Sequence, residues 1–97
     1  MKLIYLYIIE CSDGTYYTGV TNNLEKRILQ HNLGINKDAY THNRRPVKLV
    51  FHEPFADFTL AFNWETRIKK WSKLKKEALI RGEYNSLKML SKKNFSK

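Results

Sequence analysis

The stretch YLYIIECSDGTYYTGV, residues 5–20, decides how the rest of the chain is read. Leu3–Glu10 is rich in β-branched and aromatic residues and too short for a typical helix, which predicts a strand. Ser12-Asp13-Gly14 has turn composition, with Gly14 free to take positive φ. Thr15–Val20 reads as a second strand, so the pair makes a hairpin. A three-residue loop would set Cys11 opposite Thr15 and Tyr7 opposite Gly19, making Tyr7 and Tyr17 diagonal neighbours on one side. A two-residue Asp13-Gly14 loop would send the two tyrosines to opposite sides. Gly19 weakens a strand unless a bulge or a close backbone approach needs it there.

Outward from this hairpin, Asn22 is the expected N-cap of a helix, with Glu25 completing a capping-box pattern. Leu24, Ile28 and His31 share a face of that helix, and Gly34 ends it. Residues 35–46 are polar and read as a loop, and Val47–His52 as a third strand. Asp57 can cap a long helix with an apolar stripe of Leu60, Trp64, Ile68 and Trp71. At that spacing the tryptophans are core residues before they are stacking platforms. Ser72 opens a further helix running to about Ile80, before Gly82. The order ββαβαα predicts an α+β domain, a small sheet flanked by helices, over residues 1–82. Residues 83–97 are expected to be a basic, partly disordered tail.

Ninety-seven residues suit one domain, and 42% hydrophobic residues with four Gly and two Pro exclude low-complexity and collagen-like classes. The single cysteine, Cys11, excludes an intrachain disulfide and any cysteine-pair metal site. Three histidines without ligand spacing argue against zinc. The apolar run Leu3–Ile9 is far short of the roughly 20 residues of a membrane span, and Glu10 and Asp13 follow too soon for a secretory signal. A cytoplasmic protein with no membrane partner is expected.

Eighteen Lys and Arg against nine Asp and Glu give +9. Residues 1–60 hold seven basic and six acidic side chains, residues 61–97 eleven and three, so the excess sits in the last third. That asymmetry points to an anionic partner, nucleic acid before membrane, although a solvated basic helix face would look the same. Lys69, Lys73 and Lys76, with Arg44 and Arg45 just before the third strand, are the candidate phosphate contacts.

Arg27 and His31 lie one helical turn apart and could together hold a phosphate, the first through its planar fork, the second through a ring N–H. Glu65 could offer one carboxylate to Mg²⁺, with waters and substrate phosphate completing the octahedron, or simply pair with Lys69. Each of these side chains, tyrosines included, also has a plain structural use.

Their order is more telling. Tyr5-Leu6-Tyr7, then Tyr17-Thr18-Gly19 ten positions on, then Arg27-x-x-x-His31, and later Glu65, resemble the GIY-YIG nuclease superfamily. TYYTGVTNNLEKRILQHN, RRPVKLVF and ETRIKKWSKLKKEALI are closest to its small stand-alone bacterial members, the UPF0213-like subgroup. The resemblance spans about residues 3–80. It implies a compact fold around a three-stranded antiparallel sheet and Mg²⁺- or Mn²⁺-dependent cleavage of DNA phosphodiesters, with branched or damaged DNA among the substrates to consider. By motif it implies Tyr7, Tyr17, Arg27 and His31 as catalytic, Glu65 as metal-binding and Gly19 as structural. Tyr17 would then take a proton from the attacking water. A free tyrosine, with a pKa of about 10, needs nearby cations or His31 to take its own proton first. Tyr5 stands where glycine is commonest and Thr18 where isoleucine is, and Lys75-Lys76-Glu77 fills the region where larger relatives carry an Asn. With no second DNA-binding domain expected, low sequence specificity follows. The alternative is a nucleic-acid-binding module that keeps the fold without efficient catalysis.

Overall fold

The computed structural model describes residues 2–83, and the expected basic tail beyond Glu83 lies outside the described residues. Three strands, β1 (Ile4–Glu10), β2 (Tyr16–Thr21) and β3 (Lys48–Phe55), form an antiparallel sheet in the order β2-β1-β3. The helices are α1 (Leu24–Leu33), α2 (Phe58–Lys69) and α3 (Lys73–Ile80), with a short 3-10 turn at His42–Arg44. The α+β reading therefore stands.

The hairpin takes the three-residue loop. Cys11 N–H donates to the Thr15 carbonyl (2.8 Å), Gly14 N–H to the Cys11 carbonyl (3.0 Å), and Gly14 has φ +83°. Tyr7 consequently pairs with Gly19 and Ile9 with Tyr17, which fixes the parity of every β1 side chain. Tyr7, Ile9 and Cys11 pack with Val47, Leu24 and Ile28 under α1. Leu6 and Ile8 point the other way, into a core of Trp64, Ile68, Ala78 and Leu79 from α2 and α3. Sheet burial on both faces explains why β1 reads as a continuous apolar run.

Three local expectations need correction. The N-cap of α1 is Asn23, whose Oδ1 accepts from Lys26 N–H at 3.0 Å, and not Asn22. No capping box is needed there, because Thr21 Oγ1 already accepts the Asn23 N–H at 3.1 Å. β3 runs to Phe55 and not only to His52, since Pro54 lies on an edge strand, where a missing N–H is tolerated. On α2 the inward stripe is Ala61, Trp64, Glu65 and Ile68, leaving Leu60 47% exposed, because the chain turns from Asp57 with Ala61 leading. Trp71, past the end of α2, packs against the core partly buried.

Thr18, on the α2 side of β2, is buried and its hydroxyl has no hydrogen-bond partner among the described residues. A buried hydroxyl without a partner costs about 1–3 kcal/mol, whereas an apolar group of the same shape does not. Thr18→Val is therefore expected to raise stability by about 1 kcal/mol, read as a higher urea midpoint at unchanged slope.

Candidate active site

The Tyr7 ring lies across Gly19. A Cβ built on Gly19 would stand 2.6 Å from the Tyr7 oxygen and 2.7 Å from its Cζ, so no other residue fits without moving the ring. In this position Tyr7 is fully buried, and its Oη lies 3.1 Å from His31 Nε2 on α1. His31 Nδ1 lies 2.8 Å from the hydroxyl of Thr41, itself buried.

The direction of these bonds follows from the donors available. Burial, partly offset by the Arg27 guanidinium, pushes the Tyr7 phenol up to about 12, so it is protonated at neutral pH. Arg27 can only donate, which leaves His31 Nε2 as the acceptor for the Tyr7 O–H. Nδ1 then carries the imidazole proton and donates to Thr41. Burial, followed by the charge of Arg27, lowers the His31 pKa from its ordinary 6.5, so the ring is neutral at pH 7.

Tyr17 meets His31 edge-on, ring centroids 5.6 Å apart, and stacks on Tyr40 at 6.0 Å. Glu65 on α2 is buried, and Lys69 one turn on holds its carboxylate at 3.2 Å. The Lys69 ammonium lies 5.7 Å from the Tyr17 ring centre, and the Glu65 charge is felt at the Tyr7 phenol. Tyr7, Tyr17, Arg27 and His31 thus meet on the α1 side of the β1–β2 hairpin, and Glu65 of α2 is linked to them through Lys69 and through its charge at Tyr7.

The other candidates sit elsewhere or are already engaged. Arg44 is bound to Asp13 at 3.0 Å, to the Tyr40 carbonyl at 2.9 Å, and lies 4.0 Å over the Tyr40 ring. Arg45 Nε donates to the His42 carbonyl at 2.7 Å, and its guanidinium packs on Gly34. Lys73 lies 5.9 Å from the Tyr16 ring centre, and half-buried Lys76 has its pKa lowered by desolvation. Of the five basic residues singled out, Lys69 is the one that touches the cluster.

One family model, described as the GIY-YIG catalytic domain, matches residues 3–78. The chain belongs to the GIY-YIG family. With the family comes a nuclease-like catalytic domain, DNA as the class of substrate, and a general dependence on divalent metal. A UPF0213 protein of Bacillus pumilus is 47% identical over 77 residues, covering 78% of this chain and 76% of that one. A UPF0213 protein of Clostridium perfringens is 44% identical over 93 residues, covering 96% and 94%. Among solved structures, the protein EF2693 from E. faecalis is similar with a TM-score of 0.60 at 33% identity, covering 84% of this chain and 86% of that one. The UPF0213 protein of Bacillus halodurans has a TM-score of 0.53 at 39% identity, covering 81% and 83%.

The departures from the GIY-YIG pattern have structural uses here. Tyr5 packs edge-on against His52 of β3, ring centroids 6.4 Å apart. Glu77, in the region where an Asn was sought, accepts a hydrogen bond from the Tyr16 hydroxyl at 3.2 Å. Thr41 and Tyr40 were missed by the sequence reading. Both lie in a segment of polar composition with no periodicity, and nothing local marks a threonine that will orient a histidine ten residues away.

Among the described residues no group of three or more His, Cys, Asp or Glu side chains could hold a metal. Glu65 is a lone buried carboxylate beside the tyrosines. That donor set fits a hard cation that keeps its waters and takes phosphate oxygens, and does not fit a resident, protein-caged ion. No described helix is long and apolar enough to cross a membrane.

The Tyr7 environment has a consequence at high pH. The unfolded chain ionises Tyr7 near 10 and the folded one near 12, so the unfolded state sheds the proton first. Stability is lost as pH rises from about 10 to 12, by about 2–3 kcal/mol. Tyr7→Phe should remove that loss and leave the contribution of Tyr16, whose phenol is also pushed up by burial and by Glu77. Urea unfolding between pH 9 and 12 measures the difference.

Proposed function

We propose that the protein is an endonuclease hydrolysing DNA phosphodiester bonds with low sequence specificity, dependent on Mg²⁺ or Mn²⁺. The observation that carries this reading is the hydrogen-bonded chain Tyr7–His31–Thr41 beside Arg27, Tyr17 and Glu65. It orients a neutral imidazole next to a fixed cation, an arrangement suited to accepting a proton near a phosphate.

The roles follow from exposure and charge. Tyr7 is fully buried and its O–H is committed to His31, so it positions the imidazole. Tyr17 is half-buried and lines a cavity with Arg27 and His31, so it is the tyrosine that can meet the attacking water. A phenol accepts a proton only while losing its own, and the single lone pair of neutral His31, on Nε2, takes that proton once the Tyr7 O–H turns away from it. Arg27 holds phosphate charge as it develops. Glu65 would hold the divalent cation through its carboxylate, and such an ion supplies charge that polarises the phosphate and stabilises the leaving oxygen. Lys69 must release Glu65 for this, and is then free to contact the DNA backbone.

A second reading, a nucleic-acid-binding module without useful turnover, is favoured by one observation. The Lys69–Glu65 pair already neutralises the carboxylate without a metal. Purified protein incubated with supercoiled, branched and single-stranded DNA separates the two. Cleavage in Mg²⁺ that EDTA abolishes supports the nuclease; salt-sensitive binding without cutting on every substrate, indifferent to Mg²⁺, supports the module. Glu65→Ala is expected to abolish cutting with the fold intact. Tyr17→Phe should lower the rate by about 10²–10⁴-fold, the usual scale for losing a proton-transfer group. The rate should climb with pH through a value below 6.5 as His31 loses its proton, and be level by pH 7.

A further inference from the structure

The cavity lined by Tyr17, Arg27 and His31 extends along further residues that the reaction outlined above does not use. Its volume is about 350 Å³, within the roughly 300–1,000 Å³ of ordinary small-molecule sites. Tyr17, Arg27 and His31 form the wall shared with the active site, and the cavity continues past Gln30, Ala39 and His42. A scissile phosphate held at Arg27 would leave this inner part empty.

The inner part has the wrong chemistry for a second phosphate and the right one for a heterocycle. Arg27 is the one fixed cation on its wall, since His31 is neutral at pH 7. Tyr17 supplies an aromatic ring and Ala39 an apolar surface. Among the described residues the buried His42 Nδ1 has no hydrogen-bond partner, and half-buried Gln30 lines the same wall. A buried polar atom such as His42 Nδ1 is costly unless something pairs with it. A ring with donors and acceptors on its edge and a π-face would satisfy both kinds of wall. Enzymes that hold a base outside the stack use this combination of edge hydrogen bonds and an aromatic flank.

We infer that the cavity receives one nucleobase of the strand being cut, unpaired and adjacent to the scissile phosphate, with Tyr17 against its face and Gln30 and His42 at its edge. The inference rests on the nuclease reading for the placement of the phosphate at Arg27. It makes Gln30, Ala39 and His42 residues that set which nucleotide flanks the cut.

The test compares two ligands of equal charge in EDTA, where no bond is broken. One is a deoxynucleoside 3′,5′-bisphosphate, the other its abasic tetrahydrofuran counterpart. The base-bearing ligand should bind about tenfold tighter or better, the scale of one stacked base, and should shift the Gln30 side-chain amide resonances. Ala39→Trp fills the cavity and should bring its affinity down to that of the abasic ligand. Gln30→Ala, a milder change, should reduce the difference between the ligands if the tryptophan disturbs folding. Equal affinities in the unaltered protein, or shifts confined to residues outside the cavity, would overturn the inference and leave DNA cleavage untouched. Loss of the nuclease reading would show instead as absent cleavage with the base effect intact. A deoxynucleoside 5′-monophosphate binding more tightly than the bisphosphate would overturn the strand as the source and assign the site to a free nucleotide.

Discussion

The contact of the Tyr7 ring with the bare backbone of Gly19 organises this protein. With hydrogen in place of a Cβ at Gly19, the Tyr7 ring can lie flat across the neighbouring strand and not stand upright from the sheet. Lying flat, it reaches the His31 imidazole, and through it Thr41 in the following segment. The same ring forms part of the floor on which Leu24 and Ile28 of α1 rest. A single contact of ring with glycine thereby sets the depth of one tyrosine, the tautomer of one histidine and the seat of one helix. It also explains why the glycine and the tyrosine of the two motifs, distant in sequence, behave as one unit.

Much of this was legible in the sequence, and the reason is strand parity. Alternation forces Tyr7, Ile9 and Cys11 to one side once the turn length is known, and the turn residues offered only two lengths. Helical spacing likewise made Arg27 and His31 neighbours. What was not legible depended on tertiary contacts. The side of α2 that turns inward was misjudged by one residue, with Leu60 taken for Ala61, because a leucine looks more apolar than the alanine that fits. The burial of Glu65 beside Lys69 could not be told from an exposed ion pair of identical spacing. Tyr40 and Thr41 act only through the fold of a segment without periodicity.

The basic excess reads differently in three dimensions. In the described part of the last third, several cations rest on aromatic rings: Arg67 5.2 Å from the centre of Trp64, Lys75 4.2 Å from that of Trp71, Lys73 and Lys69 beside Tyr16 and Tyr17. These long side chains cover apolar surface with their stems while their charges stay near water. The residues that make the last third basic therefore also shield the α2–α3 core.

The column from Asp13 through Arg44 and Tyr40 to Tyr17 joins the tip of the hairpin to the candidate site. Its outermost link is an ion pair in water, and such links weaken as salt rises, over a screening distance of about 10 Å at 0.1 M. Dissolved ions thus loosen the ring that Tyr17 leans on, apart from any screening of an anionic ligand. Salt dependence of binding or turnover at Tyr17 will contain a conformational part, present even with a ligand too small to carry a polyelectrolyte's counterions.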